Sequence, residues 1–299
     1  MIDKYKKLKE KLPNLKKGEI LAPYTSFKIG GPAKYFFVAH NNEDVLNAIN
    51  IARKLEVAFF ILGNGSNILV SDHGFNGLVI KMENNDIKFK GDTVYAEAGV
   101  KVQKLIRESI THSLTGFEFL MSIPGTIGGG IVGNIGTPTE WIDKTIIEVE
   151  ILNRKNKKEI IPKSQCDFSY RFSRFKYSSD DVILGAKFQL RKASQTIIQE
   201  KVKNFLGNRS HQPIIDPCAG SIFKNPEGKK TWQLVDEVDM RGKVIGGAKV
   251  SDDHSNFIIN KGKATAEDVV VLISLIKQQV RDKLGVQLQE EIKYIGFDE

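Results

Sequence analysis

The sequence has little cysteine, few histidines and no long apolar run. Its two cysteines, Cys166 and Cys218, are too few for a disulfide framework among 299 residues, and this usage is typical of the reducing cytoplasm. No run approaches the roughly 18 apolar residues of a membrane span, and the lysine-rich start lacks the apolar core of a secretory signal. The five scattered histidines form no metal-binding spacing. We therefore expect a globular cytoplasmic protein without a resident metal.

The net charge of the chain bears on which molecules it is expected to bind. The formal net charge is +8, and the lysines crowded at the start of the chain predict a solvated amphipathic helix. Non-specific nucleic-acid binding is the alternative, but the sequence has no zinc spacing, RNA-recognition motif or helix-turn-helix pattern. A basic surface also suits an enzyme that collects phosphorylated small molecules. We expect small-molecule partners, no nucleic acid and no membrane, with a monomer as the default state.

Strand and helix patterns alternate through the first third of the chain, and the middle is richer in strands. Predicted strands cover AKYFFVA, AFFIL and NGLVIKM, then DIKFK, TVYAEAGV, TIIEVEIL and DVILGAKFQL. Predicted helices are NNEDVLNAINIARKL, which an asparagine cap opens, and KVQKLIRESITHS. This region therefore predicts an α+β domain.

The composition shifts near residue 193, where SQTIIQEKVKNFLGNRSHQ begins a polar helix. The best-defined helix, TAEDVVVLISLIKQQVRDKLG, has Thr265 as its cap and Gly285 at its end. Its apolar stripe consists of Leu272, Ile273, Ile276 and Val280. EIKYIGF then closes the sequence as a strand. We expect a smaller α/β domain from about residue 200 to 285.

A glycine-rich stretch, IPGTIGGGIVGNIG at residues 123–136, has G-x-G-x-x-G spacing at Gly128, Gly130 and Gly133. That spacing marks a Rossmann dinucleotide site only where a strand enters the first glycine and a helix leaves the last. Here Pro124 interrupts the strand and Pro138 the helix, and an interior proline costs about 3 kcal/mol. The spacing is therefore interpreted as a coincidence within a glycine-dense loop.

A second glycine loop, LGNGSN at residues 62–67, follows a predicted strand. Glycines let backbone N–H groups form concave anion sites, and they remove side chains where a flat ring must lie close. Either loop alone fits a tight turn equally well. Two such loops in one domain indicate a dinucleotide cofactor.

Six stretches occur in an order that resembles one enzyme family: TSFKIGGPAKYF, ILGNGSNILVSDHGFNGLVI, GFEFLMSIPGTIGGG, YRFSRFK, AGSIFKNP and GGAKVSDDHSNFIIN. The family is UDP-N-acetylenolpyruvoylglucosamine reductase, also called UDP-N-acetylmuramate dehydrogenase, of bacterial peptidoglycan synthesis. The likeness runs from about residue 20 to the end, and the ordered GSN-(I/L)-L-V-S-D, IPGTIGG and GSxFKNP motifs make it specific. The short spacing between YR and GSxFKNP resembles the compact class, which lacks an extra substrate-covering insertion.

The resemblance implies an α+β fold, with an FAD-binding domain of the vanillyl-alcohol-oxidase (PCMH) type in two subdomains and a smaller α/β substrate domain. We expect the first FAD-binding subdomain at residues 1–72 and the second at 73–195, rejoined by 286–299. The substrate-binding domain is expected at 196–285. The resemblance also implies non-covalent FAD as cofactor and NADPH as co-substrate.

The resemblance places the FAD pyrophosphate on the GNGSN-like loop, with the IPGTIGG-like loop around it and close to the isoalloxazine. Two positions depart from the family pattern, because Gly130 and Ile135 stand where the family commonly has alanine. The implied cofactor-binding residues are Gly63, Asn64, Gly65, Ser66, Asn67, Ser122, Pro124, Gly125, Thr126, Gly128, Gly129, Asn134 and Gly136.

In the family reaction NADPH reduces FAD and leaves, and a hydride then passes to the terminal carbon of the enolpyruvyl double bond. Negative charge develops on the neighbouring carbon and its carboxylate, so the reaction needs a cation there and an acid beside the carbon. By motif, Ser221 in AGSIFKNP resembles the proton donor, with Lys224 nearby to stabilise the serinate. Arg171 in YRFS resembles the arginine that holds the carboxylate. Outside these motifs, the serine would be read as a turn cap and the arginine as a surface residue.

The third catalytic residue implied by the resemblance is a glutamate near the end of the chain. Glu291 in LQEEIKYI aligns with the second acid of the family's LEPEV, and adjacent strand residues point to opposite faces, so only one of the two glutamates can enter the site. Glu290 is expected to be a solvated edge carboxylate.

Three further residues match family positions that contact the substrate. Lys224 and Asn225 are expected to contact its diphosphate or the nicotinamide cofactor, and Tyr170 to lie at the mouth of the site. Cys218 lies three residues before Ser221 and is a rival acid, which we interpret as a packed thiol.

Two other function classes stay open at this point. An FAD-dependent oxidase of the same cofactor fold would have the glycine loops but need not combine YR, GSxFKNP and the terminal glutamate. A basic non-enzymatic binding protein has only the charge in its favour.

Overall fold

The computed structural model describes residues 3–177, 180–207 and 216–297. The chain divides into two compact units: the first comprises Met1–Lys16, Phe36–Asn64 and Leu78–Ser210, and the second Lys17–Tyr35, Gly65–Gly77 and His211–Glu299. The three-part domain division expected from the sequence stays a prediction.

Helices and strands are mixed along the described residues, and strands predominate in the middle, as the sequence patterns predict. The α-helices are α1 (Lys4–Lys11), α2 (Asn42–Lys54), α3 (Val102–Thr111), α4 (Ile127–Gly133), α5 (Gln195–Gly207), α6 (Thr231–Glu237) and α7 (Ala266–Leu284). The first strands are β1 (Lys16–Ile20), β2 (Pro32–Ala39), β3 (Phe59–Leu62), β4 (Ile68–Val70), β5 (Phe75–Met82), β6 (Ile87–Lys90), β7 (Thr93–Glu97) and β8 (Leu114–Thr115). The remaining strands are β9 (Ile146–Leu152), β10 (Lys158–Pro162), β11 (Val182–Gln189), β12 (Arg191–Lys192), β13 (Cys218–Ser221), β14 (Val244–Ile245), β15 (Ala248–Val250), β16 (Phe257–Asn260) and β17 (Lys293–Ile295).

The capping signals read from the sequence are confirmed. Asn41 caps α2, with its side chain accepting a hydrogen bond from Asp44 N at 2.8 Å. Thr265 and Asp268 form a capping box at the start of α7, and Gly285 ends that helix at φ +66°. The predicted apolar stripe of α7 is buried: Leu272, Ile273, Ile276 and Val280. The basic start of the chain forms α1, as predicted, with Leu8 buried.

The larger sheet of the first unit contains five antiparallel strands in the order β10-β9-β11-β7-β6. Its central strand, β11, is buried along most of its length, and α4 packs against β7 and β11. Beside it in the same unit, β3 and β5 pair in parallel, with Leu62 opposite Lys81. The end of β3 therefore delivers the first glycine loop, and α4 lies within the second glycine-rich stretch.

The second unit is built on a four-stranded sheet in the order β13-β16-β15-β14. The helix α7 packs on this sheet and against α6, and the core between them includes Phe223, Val235, Ile258 and Leu272. A separate parallel pair joins β17 to β4, with Lys293 opposite Ile68. This pair connects the end of the chain to the strand that leaves the first glycine loop.

One part of the sequence interpretation needs correction. The glycine-dense stretch is not all loop, because residues 127–133 form α4, which Thr126 caps and Asn134 ends in the left-handed conformation at φ +43°. A Rossmann fingerprint needs a strand that runs into its first glycine, whereas no strand lies between β8 and α4 in the described residues. Among the described helices, none is long and apolar enough to cross a membrane.

Candidate active site

The two glycine-rich loops meet within the first unit. A Cβ atom built on Gly63 would lie 2.5 Å from Thr126 Oγ1, so only glycine allows this approach without a shift. Lys81, at the end of β5, donates from Nζ to the Gly63 carbonyl at 2.7 Å, and burial lowers the pKa of this lysine. Sequence reasoning missed Lys81, although a lysine in the otherwise apolar run GLVIKM was a signal.

The second loop is anchored to the residues that follow β7. Ile127 N donates to Val100 O at 2.9 Å, and Gly128 N donates to Ala98 O at 2.8 Å. A Cβ on Gly128 would lie 2.9 Å from the Ala98 Cβ, which explains a glycine in the first turn of α4. Thr126 Oγ1 accepts a hydrogen bond from Gly129 N at 3.3 Å.

The residues just before α4 form an irregular segment. Gly125 has φ +157°, close to extended backbone, and its carbonyl accepts a hydrogen bond from Val102 N at 3.0 Å. Pro124 is exposed, and Ser122 is half-buried on the same segment. These predicted cofactor residues therefore lie together, directly before the cap of the helix.

A tight turn in the first unit carries Arg171. Ser169 and Phe172 exchange two backbone hydrogen bonds of 3.1 Å, so Tyr170 and Arg171 are the two residues of the turn. Arg171 Nη1 donates to Gly136 O at 3.3 Å, and its guanidinium carbon lies 5.7 Å from the centre of the Tyr170 ring. The predicted catalytic arginine is thus hydrogen-bonded to a predicted cofactor residue.

The rest of the first glycine loop belongs to the second unit. Gly65 O accepts a hydrogen bond from Ser26 N at 3.0 Å. Gly65 has φ +63°, and a Cβ there would lie 2.9 Å from the Thr25 Cα, so this position requires glycine. Asn67 then contacts the end of the chain: its Nδ2 donates to Glu291 O at 3.3 Å, and its carbonyl accepts from Lys293 N at 3.0 Å.

Ser221 ends a bulged strand. Cys218 is opposite Ile259 and Ser221 is opposite Phe257, so β13 advances three residues while β16 advances two. Gly220, at φ +76°, supplies the conformation that such a bulge requires. Within the described residues the half-buried Ser221 hydroxyl has no hydrogen-bond partner. The bulge therefore presents a hydroxyl that can act on a bound molecule.

The backbone beside Ser221 is held by Asn256, a second residue that sequence reasoning missed. Phe223 N donates to Asn256 Oδ1 at 3.0 Å, and Asn256 Nδ2 donates to Phe223 O at 2.9 Å. Ile222 N also donates to Asn256 O at 2.9 Å. Asn256 is 4% exposed, and the asparagine directly before the apolar run FII in SNFIIN was the signal that the sequence offered.

Glu291 is fixed next to Ser221 in the second unit. Glu291 N donates to Ile222 O at 2.7 Å, and Ile222 directly follows the serine. Glu291 is half-buried. The expectation for Glu290 is wrong, because its carboxylate is not simply solvated: Lys277 Nζ lies 2.6 Å from Glu290 Oε1. The hydroxyl of Tyr294 also bonds to Glu290, and burial together with this bond raises the pKa of Tyr294.

The remaining predicted residues lie on both sides of Ser221. Burial raises the pKa of the Cys218 thiol, which agrees with a packed thiol. Lys224 is half-buried, and its backbone N donates to Gln289 O at 2.8 Å. Asn225 Oδ1 accepts from Thr231 N at 3.0 Å, so this side chain also caps the start of α6.

The structure thus assembles the predicted residues in two groups, each within one unit. The first unit brings Gly63 to Thr126 and Arg171 to Gly136. The second unit brings Asn67 to Glu291, and Glu291 to the residue that follows Ser221. Gly63 and Gly65 are required by close contacts with other protein segments. At the start of α4, the exposed Gly129 has only Thr126 Oγ1 within 4 Å of a built Cβ, and this open space fits a dinucleotide cofactor such as FAD.

Comparisons with known proteins identify the class first. A family model described as FAD binding domain matches residues 33–157, which include the first loop and the α4 segment. Phl p 4.0202, a glucose dehydrogenase, has a TM-score of 0.50 at 13% identity over 65% of this chain and 45% of that chain, and shares the fold alone. The chain therefore contains an FAD-binding domain of the vanillyl-alcohol-oxidase type in an α+β fold.

Further matches identify the family. A model described as UDP-N-acetylenolpyruvoylglucosamine reductase, C-terminal domain, matches residues 212–295. The chain is 38% identical to UDP-N-acetylenolpyruvoylglucosamine reductase of Caldanaerobacter subterraneus subsp. tengcongensis, covering 99% of this chain and 98% of the relative. It is 36% identical to the Clostridium novyi protein of the same name, covering 99% and 97%. The crystal structure of the Thermus caldophilus reductase matches with a TM-score of 0.81 at 28% identity, covering 93% of this chain and 98% of that chain.

The chain belongs to the UDP-N-acetylenolpyruvoylglucosamine reductase family. FAD is its cofactor and NADPH its co-substrate. The family resemblance read from the ordered motifs is thereby confirmed, and the oxidase and the non-enzymatic binding protein are not favoured.

Proposed function

We propose that this protein reduces the enolpyruvyl ether of UDP-N-acetylenolpyruvoylglucosamine to UDP-N-acetylmuramate with electrons from NADPH, a step of bacterial peptidoglycan precursor synthesis. The observation that supports it most directly is the backbone hydrogen bond of 2.7 Å from Glu291 N to Ile222 O. That bond holds a carboxylate-bearing residue beside the residue that follows the half-buried hydroxyl of Ser221.

The residues assigned to FAD are those of the two glycine loops and the segment before α4. When bound, FAD supplies the chemistry of accepting a hydride from NADPH and passing it to the double bond of the substrate. The contact between Gly63 and Thr126 supports a shared role for the loops, and Lys81 fixes the carbonyl of Gly63.

Ser221 is the proposed proton donor to the carbon beside the carboxylate. A serine is a weak acid, so the serinate that remains needs nearby positive charge or N–H donors. Lys224, three residues along the chain, is the proposed source of that charge. The hydroxyl makes no hydrogen bond within the described residues, which leaves it available to the substrate.

Arg171 is the proposed holder of the substrate carboxylate. Its guanidinium is permanently charged and planar, so it can bind a carboxylate in a fixed geometry while negative charge develops. Glu291 is proposed to assist at the same carbon as Ser221. Lys224, Asn225 and Tyr170 are proposed to contact the diphosphate of the substrate, or NADPH.

The proposal also covers the cellular location of the protein, its oligomeric state and its domain bounds. We assign the protein to the cytoplasm, where NADPH is available and two unbridged cysteines remain reduced. A monomer is the working assumption, and the partners are a UDP-sugar and NADPH. The division into residues 1–72, 73–195 with 286–299, and 196–285 is retained as a proposal.

Anaerobic stopped-flow experiments in two steps test the function. NADPH is mixed with the flavoprotein and the loss of flavin absorbance is followed; UDP-N-acetylenolpyruvoylglucosamine is then added and the return of absorbance is followed. We expect both steps in the wild-type protein. Failure of the sugar nucleotide to reoxidise the flavin would overturn the proposed function.

The variant Ser221→Ala tests the proton donor, with Cys218→Ala on the same strand as its matched control. We expect Ser221→Ala to leave reduction by NADPH nearly intact while it slows the second step by about 100-fold or more. Cys218→Ala should change neither step. Equal slowing of both steps by Ser221→Ala, or a large effect of Cys218→Ala on the second step, would assign the proton to another group.

A further inference from the structure

The turn that carries Arg171 has an unfavourable backbone conformation. Arg171 has φ +54°, in the left-handed region that glycine and asparagine occupy more easily. Such a backbone conformation is unfavourable for a non-glycine residue and persists only where the surrounding structure fixes it. Contacts around this turn therefore show which residues hold the arginine in place.

Asn134 makes such a contact through its side-chain amide. Its Nδ2 donates to Ser169 O at 3.1 Å, at the start of the turn, and its Oδ1 accepts from Asp143 N at 3.3 Å. The residue is 2% exposed. Both polar groups of its side chain are thus occupied by the protein backbone, inside a closed environment.

The same segment reaches the turn a second time. Gly136, two residues after Asn134, accepts a hydrogen bond at its carbonyl from Arg171 Nη1 at 3.3 Å. Asn134 ends α4 in the left-handed conformation, so its backbone sets the direction in which residues 135 and 136 leave the helix. The Asn134 side chain therefore fixes the first residue of the turn, and the segment that follows Asn134 binds the guanidinium of Arg171.

We infer that Asn134 is a positioning residue for Arg171, which connects the end of the FAD-binding segment to the turn that holds the substrate carboxylate. This inference rests on the proposed function of Arg171. It gives the Asn134 side chain a role other than the FAD contact that the motif implied. The reaction step that depends on it is the second one, in which the substrate carboxylate must be held.

Two substitutions separate positioning from charge. Asn134→Gly and Asn134→Asp both tolerate the left-handed backbone, and both lose the donor to Ser169. Only Asn134→Asp adds a charge, and it retains an acceptor for Asp143 N. Asn156→Gly is the matched control, because Asn156 is an exposed asparagine of the first unit at φ +60°.

Three quantities are measured for each variant: the affinity of the apoprotein for FAD by quenching of flavin fluorescence, and the rates of the two half-reactions. We expect both Asn134 variants to bind FAD and to be reduced by NADPH like the wild type, while reoxidation by the substrate slows about tenfold, as for one lost buried hydrogen bond. In the Arg171→Ala background, Asn134→Gly should slow reoxidation much less, because the residue that it positions is already absent. Asn156→Gly should change none of these quantities.

Other outcomes overturn the inference. Weaker FAD binding with equal slowing of both steps would make Asn134 a cofactor ligand, and additive effects with Arg171→Ala would make its role independent of the arginine. If neither Asn134 variant folds, the side chain is a structural requirement and not a positioning device. If the sugar nucleotide does not reoxidise the flavin of the wild-type protein, the proposed function itself fails. If it reoxidises the wild type and the Asn134 variants at the same rate, only the inference about Asn134 fails.

Discussion

Ile135 occupies the space that a side chain at Gly130 would need. A Cβ atom built on Gly130 would lie 2.7 Å from Ile135 Cδ1 and 3.0 Å from its Cγ1. The family commonly has alanine at both positions, so this chain has a smaller residue at one and a larger residue at the other. The two departures therefore form one compensated change in packing at the end of α4.

This packing predicts that Gly130→Ala destabilises the protein although alanine favours a helix. Overpacking of this kind costs about 1–3 kcal/mol, which exceeds the gain of about 1 kcal/mol in helix propensity. The double variant Gly130→Ala with Ile135→Ala should be more stable than the sum of the two single effects predicts, since Ile135→Ala removes the atoms that clash. The free energy of unfolding from urea titration measures both effects.

The matched control lies three residues along the same helix. Gly133 has nothing within 4 Å of a built Cβ, so Gly133→Ala should be neutral or stabilise by up to about 1 kcal/mol. Equal stability changes at positions 130 and 133 would contradict the compensation.

The sequence predicted regular elements well where the periodicity was long. The α7 stripe, its Thr265 cap and its Gly285 end all follow from patterns confined to one segment. The segment of α4 was interpreted as loop, because seven residues that include four glycines have a low helix propensity. Packing on β7 and β11 compensates for that weakness, and no local pattern reveals it.

Sequence motifs allowed a prediction only for those site residues that lie within the motifs. The ordered motifs predict Ser221, Arg171 and Glu291 as catalytic residues, and these assignments stay predictions, whereas two residues that fix the backbone next to predicted site residues were missed. Asn256 and Lys81 act through backbone carbonyls and N–H groups of distant segments. Such contacts depend on which strands become neighbours, and that information is not present in either segment alone.

Contact between the two glycine loops predicts a cofactor defect for Gly63→Ala. The added Cβ would lie 2.5 Å from Thr126 Oγ1, so one loop must shift. Thr126 also caps α4, which restricts how far it can give way. We expect the affinity for FAD to fall about tenfold or more, equivalent to about 1.4 kcal/mol, as measured by titration of the apoprotein. Gly133→Ala serves again as control, and an unchanged affinity in Gly63→Ala would separate the two loops functionally.

The adjacent glutamates Glu290 and Glu291 should have separable roles. Glu290 pairs with Lys277 at 2.6 Å, so Glu290→Gln should lower the free energy of unfolding by about 1 kcal/mol or less, because the pair is partly exposed. It should leave flavin reoxidation by the substrate unchanged. Glu291→Gln should instead slow reoxidation about tenfold or more, with little change in stability. Stopped-flow experiments measure the reoxidation rates of both variants, and urea titrations measure their stabilities. Slower reoxidation in Glu290→Gln, with an unchanged rate in Glu291→Gln, would exchange the two assignments.

Acid stability should depend on Asp268 at the start of α7. Hydrogen bonds from the backbone N–H groups of Thr265 and Gly247 hold the pKa of this carboxyl below its usual value. The start of α7 also meets Asp72, whose carboxylate accepts a hydrogen bond from Ala266 N at 2.8 Å.

Because the folded-state pKa of Asp268 is depressed, its contribution to stability is fully present above the unfolded value of about 3.9. It is lost as the pH falls from there through the lower folded-state pKa. Asp268→Asn keeps an acceptor oxygen but loses the charge, so its unfolding free energy should fall less steeply than that of the wild type below about pH 4. Urea titrations between pH 5 and pH 3 measure the slope, with Asp282→Asn at the other end of α7 as control. If the free energy of unfolding fell equally steeply with pH in the wild type and in Asp268→Asn, another carboxylate would be responsible for the loss of stability in acid.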